Sequence, residues 1–274
     1  MSNVFVDAAW LEEMLGQSHV RVVDTRSEHH GPSGISQFED GHIRGAVHLD
    51  YATDLADPAT PWAKRVAPPE RFAQAMSVAG IGDHTLVVAY DNGDVPFAAR
   101  MLWMLRYYGH DEVRILAGGL TEWIASGKPT TTDFAYYAPA TFTPRVRPQL
   151  RATLDEVQLL AAKAAHGQLV ETQRDMTYAM RDRLLPNAIR LSGNLLLEDE
   201  RGGRFPAREK LQSAIDAAGL DPKERTVTSC GSGVSASGSY IALLEAGFED
   251  VAVYDGSWLE WSHDPSLPTE PKPS

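Results

Sequence analysis

Cysteine is almost absent: Cys230 is the only one in 274 residues. An intrachain disulfide and an all-cysteine metal site are therefore both excluded. The nine histidines are scattered and form no His-x-x-x-His or comparable helical ligand pair, so no metal or organic cofactor is expected. No apolar run approaches the roughly 18 residues of a bilayer-spanning helix. The start, Met1-Ser2-Asn3-Val4-Phe5-Val6-Asp7, has neither the basic region nor the apolar core of a secretory signal. A cytoplasmic protein with no membrane partner is the expectation. Positive charge is also scarce, with 25 Lys and Arg against 37 Asp and Glu, a net charge of −12, and no basic block. Nucleic acid is thus not a natural partner, and an anionic small molecule would need a local positive site.

What is present is a composition of 43% hydrophobic and 23% charged residues, enough for one large α/β domain or two of common size. The chain also repeats itself. Tyr108 to Trp123 aligns with Ala246 to Trp261 at a constant offset of 138, pairing Gly109 with Gly247, Gly118 with Gly256 and Trp123 with Trp261. The apolar run before Asp91 matches the run before Cys230 at an offset of 139. The reading is a duplicated domain, with domains over residues 1–130 and 150–274. Residues 131–149 between them are proline-punctuated and read as an extended linker. The proline-rich tail from Pro265 reads as frayed or strapped down.

Each half alternates short β-branched runs with amphipathic stretches, which predicts an α/β fold in which a mostly parallel central sheet is flanked by helices. Strands are expected at Val20–Asp24, Leu86–Ala89 and Val113–Leu116, and again at Gln168–Glu171, Arg225–Ser229 and Val251–Tyr254. Helical faces are marked by Met101, Leu102, Leu105 and Tyr108, and by Tyr240, Ile241 and Leu244. Pro206 is placed to open a helix over Ala207 to Ala218, which Gly219 stops.

Ser229-Cys230-Gly231-Ser232-Gly233-Val234-Ser235-Ala236-Ser237 follows a buried strand and opens a helix, the end of an α/β sheet at which ligands bind. Glycine and serine let successive backbone N–H groups curl into an anion-binding nest, backed by the positive end of the helix dipole. A thiolate on Cys230 would be stabilised there. A lone cysteine is more often a small buried hydrophobe, but such a residue needs no run of glycine and serine after it, whereas a nucleophile on a strand-to-helix turn does. A cysteine-dependent phosphatase, with Cys-x5-Arg spacing, would need arginine where Ala236 stands. Without that guanidinium, bidentate phosphate recognition is lost.

The Cys230–Ala236 loop, together with Tyr254-Asp255-Gly256-Ser257-Trp258-Leu259-Glu260-Trp261, resembles the active half of tandem rhodanese-type sulfurtransferases. Asp24-Thr25-Arg26, Gly41-His42-Ile43-Arg44-Gly45-Ala46 and Gly118-Gly119-Leu120-Thr121-Glu122-Trp123 resemble the family's inactive amino-terminal repeat, with Asp91 in the place of Cys230. The resemblance implies two rhodanese-like domains, the first of them silent, because a carboxylate cannot carry a persulfide. It also implies a two-step transfer in which Cys230 takes a sulfane sulfur from a small anionic donor. The persulfide then hands it to a thiol or cyanide, with a thioredoxin-like protein among the candidate acceptors. A persulfide anion suits a nest of about six inward N–H groups.

Within the family, a Cys-Gly-Ser-Gly-Val loop goes with 3-mercaptopyruvate and a basic loop with thiosulfate; the loop here is of the first kind. By the same resemblance Ser232 and His42 belong to a relay that assists Cys230, Gly231, Gly233, Val234 and Ser235 line the substrate, and Arg181 and Arg183 hold the donor's carboxylate, with Arg174 behind them. This chain departs from the family where Asp-x-Arg becomes Glu171-Thr172-Gln173 and where His-Ile-Pro-Gly becomes Leu184-Leu185-Pro186-Asn187. Arg181 and Arg183 stand beside Asp182, and interleaved charge of this kind is commonly a solvated surface. Thiosulfate as donor, and a sulfur-carrying or redox-sensing module without turnover, are the alternatives.

Overall fold

A computed structural model describes residues 4–28, 31–93, 96–196 and 208–272. The chain divides into two compact units. The first holds β1 (Phe5–Val6), α1 (Ala8–Met14), β2 (Val20–Asp24), α2 (Gly34–Asp40), β3 (Ala46–His48), α3 (Pro69–Val78), β4 (Leu86–Tyr90), α4 (Phe97–Tyr107), β5 (Val113–Leu116) and α5 (Gly119–Ala125). Its five strands run in the order β1-β5-β4-β2-β3 and every pairing is parallel. Parallel sheets are covered on both faces. That is why β2 is buried at all five positions, its odd and even side chains both facing protein. Val22, Val88, Phe38, Ile43 and Trp123 belong to one core cluster.

The second unit holds α6 (Leu154–Ala161), β6 (Gln168–Glu171), α7 (Asp175–Ala179), β7 (Arg183–Leu184), β8 (Ile189–Arg190), α8 (Arg208–Ala218), β9 (Thr226–Ser229), α9 (Val234–Glu245), β10 (Val251–Val253), α10 (Ser257–His263) and β11 (Glu270–Pro271). Four parallel strands run β10-β9-β6-β8. A lone parallel bridge from Arg151 to Val253 stands where β1 meets β5 in the first unit. The duplicated order is the repeat of the sequence made visible. Pro206 and Ala207 lie outside the described residues. The helix there is described from Arg208 to Ala218, before Gly219 at φ +69°.

One segment differs from its sequence reading in what it touches, and another takes one of the two forms read for it. The stretch read as a linker is extended, yet up to Arg147 it groups with the first unit. Thr131 exchanges backbone hydrogen bonds with His42, Tyr137 donates its hydroxyl to Gly45 O at 2.7 Å, and Arg145 N reaches Tyr108 O. Its prolines forbid a helix, so its polar backbone is satisfied by the domain surface instead. The tail, for its part, is strapped. Trp261 Nε1 donates to Pro268 O, β11 pairs antiparallel with β7, and Lys272 donates through N to Asp182 O and through Nζ to Ala179 O. Among the described residues no helix is long and apolar enough to cross a membrane.

Candidate active site

The loop after β9 is set by its neighbours on both sides. All four residues of β9 are buried. Thr228 Oγ1 donates to Ala236 O at 3.0 Å and Ser237 Oγ to Gly233 O at 2.7 Å, which holds the first turn of α9 against the strand. Gly233 caps the helix at φ 80°, ψ −6°, a left-handed conformation that glycine adopts at little cost. Cys230 is 2% exposed. The amides of Gly231, Gly233, Val234, Ser235 and Ala236 donate to no backbone carbonyl among the described residues, as expected of the first turn of a helix.

The first unit shows what such a loop is built to hold. Asp91 lies at the position of Cys230, and its carboxylate accepts from Gly93 N at 2.7 Å and from Ala98 N, in the first turn of α4, at 2.9 Å. In the first unit the turn is therefore an anion site, and in the second unit Cys230 stands at the position of that carboxylate.

The loop is braced from α10. Ser257 has φ 49°, a left-handed conformation that non-glycine residues seldom adopt. Its hydroxyl accepts from Cys230 N at 3.1 Å and donates to Tyr254 O at 2.7 Å. The equivalent residue in the first unit is Gly119, at φ 57°. Serine thus accepts backbone strain in exchange for a tether on Cys230. Trp258 N donates to Cys230 O at 3.1 Å and Leu259 N to Gly231 O at 3.0 Å. Ser257→Ala keeps the strain and removes both hydroxyl bonds. Thermal unfolding should report a loss of about 1–3 kcal/mol, and turnover should fall because Cys230 loses its anchor; unchanged stability and rate would refute the bracing role.

Arg181 brings a guanidinium to this loop. Its Nη2 donates to Cys230 O at 3.2 Å, its Nη1 lies 3.6 Å from Glu171 Oε2, and its guanidinium carbon lies 4.8 Å from the centre of the Trp258 ring. A side chain on Gly231 would face Arg181 Nη2 and Gln173 Nε2, each 3.6 Å from a Cβ placed there. Burial pulls the Arg181 guanidinium below its usual value, opposed by the attraction of Glu171 and of Cys230.

Glu171 closes the site from β6. Comparison with the first unit explains its state. There, Asp24 takes two contacts from Arg26 Nε and one from Arg26 Nη2, the last at 2.6 Å, and the Tyr90 hydroxyl at 2.6 Å. In the second unit Glu171 stands for Asp24, Gln173 for Arg26 and Ser229 for Tyr90, with Thr25 and Thr172 making the same backbone bond to the adjoining strand. Both partners of the carboxylate are thereby lost. Glu171 Oε1 still accepts from Gln173 N at 3.0 Å, but Glu171 Oε2, Gln173 Oε1, Ser229 Oγ and Arg181 Nη1 are buried without a hydrogen-bond partner. Burial pushes the Glu171 carboxyl up, and Arg181 only partly offsets it.

The residues singled out in the sequence thus separate. Cys230, Gly231, Ser232, Gly233, Val234 and Ser235 share the loop, and Arg181 joins them. Arg183 does not: it donates to the hydroxyl and to the carbonyl of Thr269, so its guanidinium secures the tail rather than a donor. His42 is fully buried in the first unit, stacked on Phe38 with ring centroids 3.7 Å apart, its Nδ1 2.7 Å from Phe38 O and its Nε2 3.1 Å from Asp133 O. Both nitrogens are committed to carbonyls of its own unit, so the geometry leaves no free nitrogen for a relay to Ser232. Ser257 and Trp258 escaped the sequence reading of the site. The repeat alignment carried a signal for the first, a serine opposite Gly119.

Comparison with known proteins agrees with this architecture. The model of the rhodanese-like domain matches residues 7–126 and again residues 153–264. The chain is 28% identical over 279 residues to the 3-mercaptopyruvate sulfurtransferase of Escherichia coli K12, covering 97% of this chain and 98% of that one. It is 30% identical over 305 residues to thiosulfate/3-mercaptopyruvate sulfurtransferase 2 of Arabidopsis thaliana, covering 96% and 85%. The crystal structure of SseA from Escherichia coli, described as a 3-mercaptopyruvate sulfotransferase, superposes with a TM-score of 0.85 at 26% identity, covering 94% of this chain and 99% of that one. Matched along both of its halves, this chain belongs to the rhodanese family as a tandem sulfurtransferase.

Proposed function

We propose that the chain moves a sulfane sulfur from 3-mercaptopyruvate through a persulfide on Cys230 to a thiol or cyanide acceptor, a thioredoxin-like protein among the candidates. The observation that carries this reading is the pairing of an anion nest, filled by a carboxylate in the first unit, with the guanidinium of Arg181 on the carbonyl of Cys230.

In the first step the Cys230 thiolate attacks the donor sulfur. The new S–S bond forms as the donor's C–S bond breaks, and its electron pair leaves with the carbon fragment, which takes up a proton to become pyruvate. Loop amides that donate to no carbonyl offset the negative charge carried by the sulfur pair. Arg181 holds the donor's carboxylate by charge-assisted hydrogen bonds, and Ser232 offers its hydroxyl to the departing fragment. In the second step an acceptor thiolate attacks the outer sulfur, leaves with it as a persulfide, and returns Cys230 to the thiolate.

Thiosulfate is the weaker candidate because Gly231, Ser232 and Gly233 add no cation to the loop. One guanidinium matches a monocarboxylate better than a dianion. Mass spectrometry of the protein after incubation with each donor tests the reading. Mercaptopyruvate should add the mass of one sulfur to the peptide carrying Cys230, and a thiol should remove it over repeated cycles. Loading by thiosulfate alone would transfer the function to that donor. Loading without release would make the chain a carrier, and no loading would end the proposal.

A further inference from the structure

Four buried polar atoms without a hydrogen-bond partner belong to residues at or next to the Cys230 loop: Glu171 Oε2, Gln173 Oε1, Ser229 Oγ and Arg181 Nη1. Glu171 and Ser229 are opposite one another in the β6–β9 register, and Gln173 and Arg181 both face Gly231. A carboxylate that is 2% exposed and has lost the arginine its counterpart keeps in the first unit depends for its charge on Arg181. The donor needs the same guanidinium.

We propose that Glu171 competes with the donor's carboxylate for Arg181, so that donor binding is coupled to uptake of one proton from solvent onto Glu171 Oε2. The inference rests on Arg181 being the donor's anchor, as argued above. Its physical basis is the cost of a buried carboxylate without a cation: once the donor takes Arg181, an ionised Glu171 would be left unpaired in a low-dielectric site, and it neutralises instead. Protonated, the buried carboxyl carries no charge to be compensated and gains an O–H donor.

The other charged groups facing Glu171 do not replace Arg181. Arg190, on β8, donates from Nη1 to the backbone O of Glu171 at 3.2 Å, while its Nη2 is held by Asp175 Oδ1, at the start of α7, at 2.6 Å. Its guanidinium also lies over the Tyr178 ring, 4.1 Å from the centroid. From the turn after β9 the titratable neighbour is Cys230. Burial already pushes the Glu171 carboxyl up with Arg181 beside it, and engaging Arg181 elsewhere raises it further. The sign follows: the donor binds best where Glu171 is protonated, and affinity falls as pH rises through its value, with a limiting slope of about tenfold per pH unit for one linked proton.

Calorimetric titration with pyruvate, the unreactive carboxylate product, tests this in full-length protein carrying Cys230→Ser, which removes the thiol's own titration. Between about pH 5 and pH 9, in buffers of different ionisation enthalpy, binding should take up close to one proton on the alkaline side, and affinity should fall with the slope given above. Adding Glu171→Gln, a near-isosteric change, should abolish the uptake, flatten the profile, and tighten binding at the alkaline end by about tenfold or more. No proton uptake, or weaker binding by the glutamine variant at every pH, would overturn the proposal. Should that variant fail to fold, proton uptake by Cys230→Ser protein alone decides. Adding Arg181→Met separates the two claims. Pyruvate affinity that survives it, or pyruvate binding absent at every pH before it, overturns the donor-site reading and this inference with it. Affinity lost on Arg181→Met but unmoved by Glu171→Gln overturns this inference alone.

Discussion

Cys230→Ser is expected to abolish sulfur transfer, by at least about 10³-fold in kcat, while leaving the fold in place. A hydroxyl oxygen cannot carry a sulfane sulfur through a thiolate-persulfide cycle, and no second cysteine exists to take over. Stability should change little, because the two side chains are nearly equal in size and the backbone tether from Cys230 N to Ser257 Oγ does not involve the thiol. Placing a hydroxyl at this buried position costs at most about 1–3 kcal/mol. Steady-state assays with both donors check the rate and thermal unfolding checks the fold. Transfer at the wild-type rate would refute Cys230 as the sulfur-carrying residue, and a collapsed fold would show the cysteine to be a packing residue first.

The second large effect is expected at Arg181. Replacing it with methionine keeps much of the aliphatic volume beside Trp258 but removes the sole cation bonded to the Cys230 carbonyl among the described residues. Truncating one member of a desolvated charge pair costs about 2–5 kcal/mol, so kcat/KM for mercaptopyruvate should fall by about 10²-fold, mostly through KM. Discharge of a preformed persulfide to an acceptor thiol should change much less. An unchanged KM would remove Arg181 from donor binding.

The same variant should show a pH signature in its stability. Glu171, with its carboxyl already pushed up by burial, loses its nearest cation. A group that binds its proton more tightly in the folded state supports folding fully below its unfolded value and loses that support as pH rises through the folded one. The melting temperature of Arg181→Met protein should therefore drop more steeply than that of the wild type as the solution is made alkaline. Parallel profiles would show that Arg181 and Glu171 are not coupled.

Legibility differed between the fold and the site for physical reasons. Strands β2, β4, β5, β6, β9 and β10 were readable because a buried parallel strand is rich in apolar and β-branched residues, and these sequences are, with Arg21 and Arg114 the charged residues inside β2 and β5. The two-residue strands β1, β7, β8 and β11 are too short to show a period. The Cys230 loop was legible because glycine and serine after a strand announce backbone geometry directly. The arginines were not equivalent, although Arg181 and Arg183 are two residues apart with Asp182 between them. One turns to the Cys230 carbonyl and the other to Thr269, and no local pattern distinguishes them. His42 matched a motif, but its surroundings come from Phe38 and from Asp133, some ninety residues on.

The amino-acid order alone determined that this chain is a duplicated α/β protein whose one sulfur nucleophile candidate sits at a strand-to-helix turn, because repeats, apolar runs and glycine-rich turns are local properties of the polypeptide. Only the tertiary structure decided which charges meet that turn. Glu171 comes from β6, Arg181 from the segment after α7 and Ser257 from the start of α10, and their convergence depends on strand register and loop path, through which a guanidinium and a strained serine become partners of one cysteine and a buried carboxylate becomes the partner of that guanidinium.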